Sequence, residues 1–123
     1  MRAYQHSLPA PTGLVSNSEA AVRGKQLFAA NCQSCHVGGN NTDNNSGVWH
    51  KPAETGMDGA YAARTTKKAY RTTPLRGLRF HGPYFHDGSA ASLADVVNHY
   101  DTVRRLQLTA QQKSDLVEYL KTL

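Results

Sequence analysis

The chain has 123 residues, of which 39% are hydrophobic and 19% charged, a length and balance that suit one domain with a modest core. Its formal net charge is +5, yet no recognition helix or aromatic platform accompanies the basic residues, which argues against a nucleic-acid partner. No segment approaches the ~18 apolar residues of a membrane span.

Residues 1–15 read as a linker or the tail of a preceding domain, and 16–123 as the domain proper. Leu8-Pro9-Ala10-Pro11-Thr12-Gly13 is Pro-rich. Ahead of it, Tyr4 and Leu8 are four apart, as Tyr119 and Leu123 are at the other end, so residues 1–8 read as the last turn of an earlier helix. Met1 to Gly13 lacks the apolar core of a signal peptide.

The first full helix is expected to begin near Ser16, where Ser16 and Glu19 have capping-box spacing. Ala20, Gly24, Leu27 and Phe28 then fall on one helical face. Gly24 costs roughly 1 kcal/mol against alanine inside a helix, and close approach of another helix would explain it.

That helix leads into Cys32-Gln33-Ser34-Cys35-His36. Two thiols three positions apart, followed at once by histidine, form the attachment signature of a c-type haem. Each thiol adds across one porphyrin vinyl group, and the histidine supplies the proximal ligand to iron. Cys32 and Cys35 are the only cysteines, and there is no second pair for a structural zinc site. A thiol redox pair would need a βαβ pattern around it, and no run alternates like a strand. The motif therefore predicts one covalent haem c held by Cys32 and Cys35, with His36 on the metal.

Residues 38–47 carry turn chemistry and no apolar side chain, so a solvated loop is expected. Trp49 follows and is expected to cover a haem edge. Residues 51–83 hold repeated Gly and Pro and read as loops wrapped around a prosthetic group, with a short helix near Tyr61–Arg64. No acid lies between Asp58 and Asp87, whereas Arg64, Lys67, Lys68, Arg71, Arg76 and Arg79 all do. Such a run is a solvated face with one or two arginines neutralising haem propionates, or a docking patch for an acidic redox partner.

A helix is expected from about Ser92 to Tyr100, because Leu93, Val96, Val97 and Tyr100 share one face. The last helix starts at Thr109, with Gln112 completing a capping box. Leu116, Tyr119, Leu120 and Leu123 form its inner stripe, expected to pack on Gly24 and Phe28.

Arg71-Thr72-Thr73-Pro74-Leu75-Arg76 and Gly82-Pro83-Tyr84-Phe85-His86-Asp87-Gly88-Ser89 carry a family resemblance. With Gly24, Lys25, Leu27 and Phe28 ahead of the cysteine motif, residues ~20–123 resemble the C-terminal haem domain of bacterial di-haem cytochrome c peroxidases and the related MauG proteins. The first run departs from the family pattern, which places its proline one position earlier, at Thr73. The resemblance implies an all-α cytochrome c fold with three to five short helices and long loops. It also implies an electron-transfer role and a periplasmic or otherwise extracytoplasmic, bacterial setting. The partner would be an adjacent haem domain or a redox protein, one of acidic surface included.

The distal ligand stays open between two residues. The resemblance implies a methionine at the end of this helix, as in the peroxidases, or a tyrosine, as in MauG-type members, where this chain has Tyr100. Helical phase agrees, since Tyr100 continues the Leu93/Val97 face while His99 points ~100° away. Against it, a neutral phenol with an ordinary pKa of about 10 is a poor ligand. Met57, in a Gly-Met-Asp-Gly loop, is the alternative thioether. His50, His81, His86 and His99 are weaker candidates. The reading is a mono-haem electron-transfer domain with no catalytic residue of its own; the alternative is a haem peroxidase or oxygenase-type domain with an open or displaceable distal site.

Overall fold

The computed structural model describes residues 2–9 and 13–123. Ala10, Pro11 and Thr12 of the Pro-rich run lie outside the described residues. The helices are α1 (Arg2–Ser7), α2 (Glu19–Asn31), α3 (Pro52–Thr55), α4 (Ala60–Ala63), α5 (Leu93–Arg104) and α6 (Ala110–Leu120). Five of the six lie from residue 19 onward, and 3-10 turns add Asp43–Ser46 and Leu78–Phe80. Among the described residues there is no strand, only the isolated bridges His50–Tyr70 and Tyr84–Ala90. The fold is all-α.

α2 starts two to three residues later than its sequence predicts. The Ser18 hydroxyl accepts from the Ala21 N–H and is the N-cap, while the Ser16 hydroxyl donates to Ser18. α6 starts where the pattern places it, capped by Thr109 with Gln112 closing the box. α5 runs one turn past Tyr100, to Arg104, and its capping box pairs Ser92 with Asp95.

α2 crosses α6 at Gly24. A Cβ there would sit 2.0 Å from the Asp115 carbonyl oxygen, so only glycine permits this approach. Beside the crossing, Phe28, Leu93, Val97, Leu116 and Leu120 form the buried cluster that joins α2, α5 and α6. Phe28 and Tyr119 rings lie 5.2 Å apart, within aromatic packing range. Arg23 reaches across the same crossing to the buried Asp115, donating to both carboxylate oxygens at 2.7 and 3.0 Å. The Leu14 N–H donates to the Lys121 carbonyl and the Leu78 N–H to the Leu123 carbonyl, tying two connecting segments to the end of α6.

Residues 38–47 are not a wholly solvated loop. Thr42 and Asp43 are buried, at 2% and 8% exposure. Thr42 donates its hydroxyl to the Thr72 carbonyl at 2.7 Å, which pins the segment after His36 to the 71–76 segment. Asp43 accepts from His50 Nε2 at 2.8 Å. Thr42 thus becomes core because a partner 30 residues away satisfies it, whereas Asp43 keeps its Oδ1 buried without a partner among the described residues.

Candidate haem site

The long segments between α2 and α5 enclose a cavity of about 570 Å³, in the size range of cofactor pockets. Phe28, Leu93, Val96, Val97, Leu116 and Leu120 supply its apolar floor, and Cys32, Cys35 and His36 lie in its wall. The core of the helices therefore continues directly into the cavity lining.

The cysteine turn has a helical origin. The Cys32 N–H donates to the Phe28 carbonyl, and the Cys35 and His36 N–H groups fold back onto the Cys32 carbonyl at 3.2 and 3.0 Å. One tight turn thus presents both sulfurs and the imidazole together. Burial, and then the neighbouring Cys35, push the Cys32 thiol up to about 11, while Arg104 pulls it down. As a free thiol, Cys32 is protonated at neutral pH and not a nucleophile.

His36 is oriented from behind. Its Nδ1 lies 2.9 Å from the Asn41 carbonyl. A carbonyl only accepts, so Nδ1 carries the proton and Nε2 keeps its lone pair. Burial also lowers the imidazole pKa, with the Asn41 contact opposing it, so the ring is held neutral. A neutral imidazole with one nitrogen fixed by a backbone carbonyl is the usual arrangement of a metal-ligating histidine.

The charge of the lining fits the same group. Arg71, Arg76 and Arg104 line the cavity, and no Asp or Glu does. An apolar floor with uncompensated cations suits a large planar ligand that brings two carboxylates. The residues present fit haem c.

Tyr100 and Met57 both line the cavity, as the sequence expected of a distal ligand. The Tyr100 hydroxyl makes no hydrogen bond to a described residue. Burial raises its pKa, Cys35 and Cys32 raise it further, and Arg104 opposes them. His99 does not line the cavity; its Nε2 contacts the Thr55 carbonyl at 2.8 Å. His50 lines it, but its two ring nitrogens are committed to Asp43 at 2.8 Å and Glu54 at 3.3 Å. His86 stacks on Tyr70 at 4.5 Å between ring centres, with Nε2 3.1 Å from the Tyr70 hydroxyl. That tyrosine also donates to the Asp58 carbonyl and accepts from the Ala62 N–H, so His86 helps hold α4. His81 is exposed at the cavity margin.

Three features escape the sequence. Trp49 does not line the cavity and is 41% exposed, so it does not cover a haem edge. Four of the six cations between Arg64 and Arg79 lean on close, uncharged neighbours: Arg64 over the Tyr61 ring, Arg79 over Phe80, Lys68 on the Ala63 carbonyl, Arg76 on Asn40 and Gly39; all six stay exposed. Ligand atoms of Cys35, Asp43 and His50 lie within 4.8 Å of one another. Once in thioether linkage, Cys35 offers no thiolate to a second metal, and both ring nitrogens of His50 are already held by Asp43 Oδ2 and Glu54.

A cavity walled by helices and long connecting segments, with paired thiols and a carbonyl-fixed histidine, defines a haem-binding domain. The chain belongs to the cytochrome c family, whose model matches residues 21–123. Cytochrome c membership implies covalently attached haem c. It is 30% identical to the methylamine utilization protein MauG of Methylophilus methylotrophus, over 86% of this chain and 37% of that one. It is 33% identical to cytochrome c551 peroxidase of Nitrosomonas europaea, over 83% of this chain and 33% of that one. In structure it is similar to a chain of hydrazine synthase from Kuenenia stuttgartiensis, with TM-score 0.73 and 26% identity over 98% of this chain and 52% of that one. The chain spans about a third of the length of these two curated relatives, and it fits a haem domain of the di-haem peroxidase/MauG superfamily.

Proposed function

We propose that the chain is a mono-haem electron-transfer domain in which Cys32 and Cys35 carry the haem, His36 is the proximal ligand and Tyr100 the distal one. The observation that carries this is the His36–Asn41 contact, which leaves one imidazole nitrogen free in the wall that holds both sulfurs. When bound, the haem supplies a one-electron couple at iron. The protein's own residues do the rest. The Cys32–His36 turn would hold the group, the α2/α5/α6 core would exclude water from one side, and Arg71 and Arg76 would supply positive charge for its propionates.

Tyr100 is preferred over Met57 on position. It stands on the α5 face that carries Leu93 and Val97 into the cavity, and its hydroxyl is otherwise unbonded. The domain acts in an extracytoplasmic compartment of a bacterium, residues 1–15 link it to a preceding unit, and its partner is another haem domain or a redox protein. No helix among the described residues is long and apolar enough to cross a membrane.

A second reading is a haem peroxidase or oxygenase-type catalytic domain with a displaceable distal site. It is favoured by the Tyr100 hydroxyl, which lies in the cavity lining with no hydrogen bond to a described residue, since a neutral phenol is a weak ligand. Absorption and EPR spectra of the ferric and ferrous protein separate the two. Low-spin, six-coordinate iron in both states supports electron transfer; five-coordinate iron that turns over peroxide supports the second reading.

A further inference from the structure

Tyr100, Met57 and Phe85 line the cavity from separate segments: α5, the loop after α3, and the turn ahead of α5. His99 is half-buried and lies outside that lining, yet it reaches each of those segments. Its Nε2 is 2.8 Å from the Thr55 carbonyl at the end of α3. A carbonyl only accepts, so Nε2 carries the proton and donates it. The imidazole centre is 4.8 Å from that of Phe85 and 5.2 Å from that of Tyr100. Phe85 in turn stands edge-on to Tyr100 at 6.1 Å.

The loop that carries Met57 is drawn tightly onto α5. Gly56 has φ of 70°, and a Cβ there would sit 2.4 Å from Val103 Cγ2 and 3.2 Å from His99 Nε2. His99 and Val103 are four apart, so they are neighbours on one face of α5. Met57 follows this approach directly. On its far side the Tyr70 hydroxyl donates to the Asp58 carbonyl, so the loop is anchored on both flanks of Met57. Phe85 is left-handed as well, with φ of 67°, a conformation bulky side chains rarely adopt. Such a residue persists where its surroundings hold it, and the His99 ring is part of them.

The geometry points to His99 as a positioning residue for the distal ligand: from behind the cavity wall it holds the Met57 loop and Phe85 against the part of α5 that carries Tyr100, and so limits the access of small ligands to the iron. The inference rests on the assignment of Tyr100 as that ligand. Packing alone does not explain the residue type. An apolar side chain at position 99 could fill the space, but it would leave the Thr55 carbonyl, in the last turn of α3, without this donor.

Cyanide reads the distal side of the ferric holoprotein, because it must displace Tyr100 to bind. Stopped flow at the Soret band measures its association rate. His99→Ala is expected to raise that rate roughly threefold to tenfold, the equivalent of one lost hydrogen bond, and to weaken the phenolate-to-iron band. His99→Gln keeps a donor of similar reach and should bring the rate back close to wild type. Gly56→Ala forces the same loop off α5 with the imidazole still in place, and should speed cyanide too. Asp115→Asn weakens the fold at the α2/α6 crossing and should leave the rate unchanged, even where it lowers the urea midpoint as far as His99→Ala does. That control separates positioning from general loss of stability. A wild-type rate in His99→Ala, or an equal acceleration in Asp115→Asn, would overturn the proposal. Both outcomes leave the wild-type phenolate band in place; a wild-type spectrum without it would instead sink the Tyr100 reading, and the role of His99 with it.

Discussion

Arg23 on α2 and Asp115 on α6 are joined by two hydrogen bonds, and the carboxylate that receives them is only 3% exposed. Gln111 donates a third, at 2.9 Å. The Arg23 contact, against a smaller opposing effect of burial, holds the Asp115 carboxyl below its ordinary value of 3.8. A carboxyl depressed by folding adds stability that is complete above its ordinary value and lost as pH falls through the depressed one. Asp115→Asn should therefore lower the urea midpoint at pH 7 and flatten its decline below about pH 4. The loss should exceed that of Glu118→Gln, which removes only the more exposed pair with Lys121.

Gly24 is the second load on the same crossing. A methyl group at that position meets a backbone carbonyl, which cannot rotate away. Gly24→Ala should cost on the order of 3 kcal/mol, despite alanine's better helix propensity. Thermal unfolding of the holoprotein measures it. A gain in stability would mean that the helices do not approach this closely.

Gln107 is exposed and left-handed on the loop that turns Leu106 and Leu108 inward. Glycine adopts that conformation without a Cβ penalty. Gln107→Gly relieves about 1–2 kcal/mol of left-handed backbone cost against about 0.4–1 kcal/mol of added unfolded-state entropy, so a small net gain is expected, read as a higher denaturation midpoint with an unchanged absorption spectrum.

The distal ligand is separable by two substitutions. Tyr100→Phe should abolish a phenolate-to-iron charge-transfer band in the ferric protein and leave five-coordinate or water-ligated iron. Met57→Leu should change neither the band nor the spin state. A far-red methionine band in wild type, lost in Met57→Leu, would transfer the role to Met57.

What the sequence made legible is what local chemistry decides. Thr109 and Gln112 cap a helix by themselves, and α6 starts there. The cysteine motif carries its own turn, and the face shared by Leu93, Val97 and Tyr100 does turn into the cavity. Gly24 was legible as a close approach, though not which backbone approaches it. The failures are tertiary. Ser16 has capping-box spacing with Glu19, but the hydroxyl that reaches a helix N–H, that of Ala21, belongs to Ser18. α5 outruns its apolar face because Asp101 in its last turn is held by Lys113 and the Leu108 N–H. Asp43 looks like a solvated turn residue until His50 folds back onto it. Trp49 reads as a ring cover, but nothing local says which way it faces. The aromatic rings and carbonyls that engage four of the cations from Arg64 to Arg79 are likewise invisible in a charge pattern.

The most direct test is the intact mass of the protein purified from a host that matures c-type cytochromes, taken after acid-acetone extraction. The account predicts the polypeptide plus one haem, with the mass falling to the bare chain when Cys32 and Cys35 are both replaced by alanine. A wild-type protein that weighs only as much as its 123 residues would contradict it.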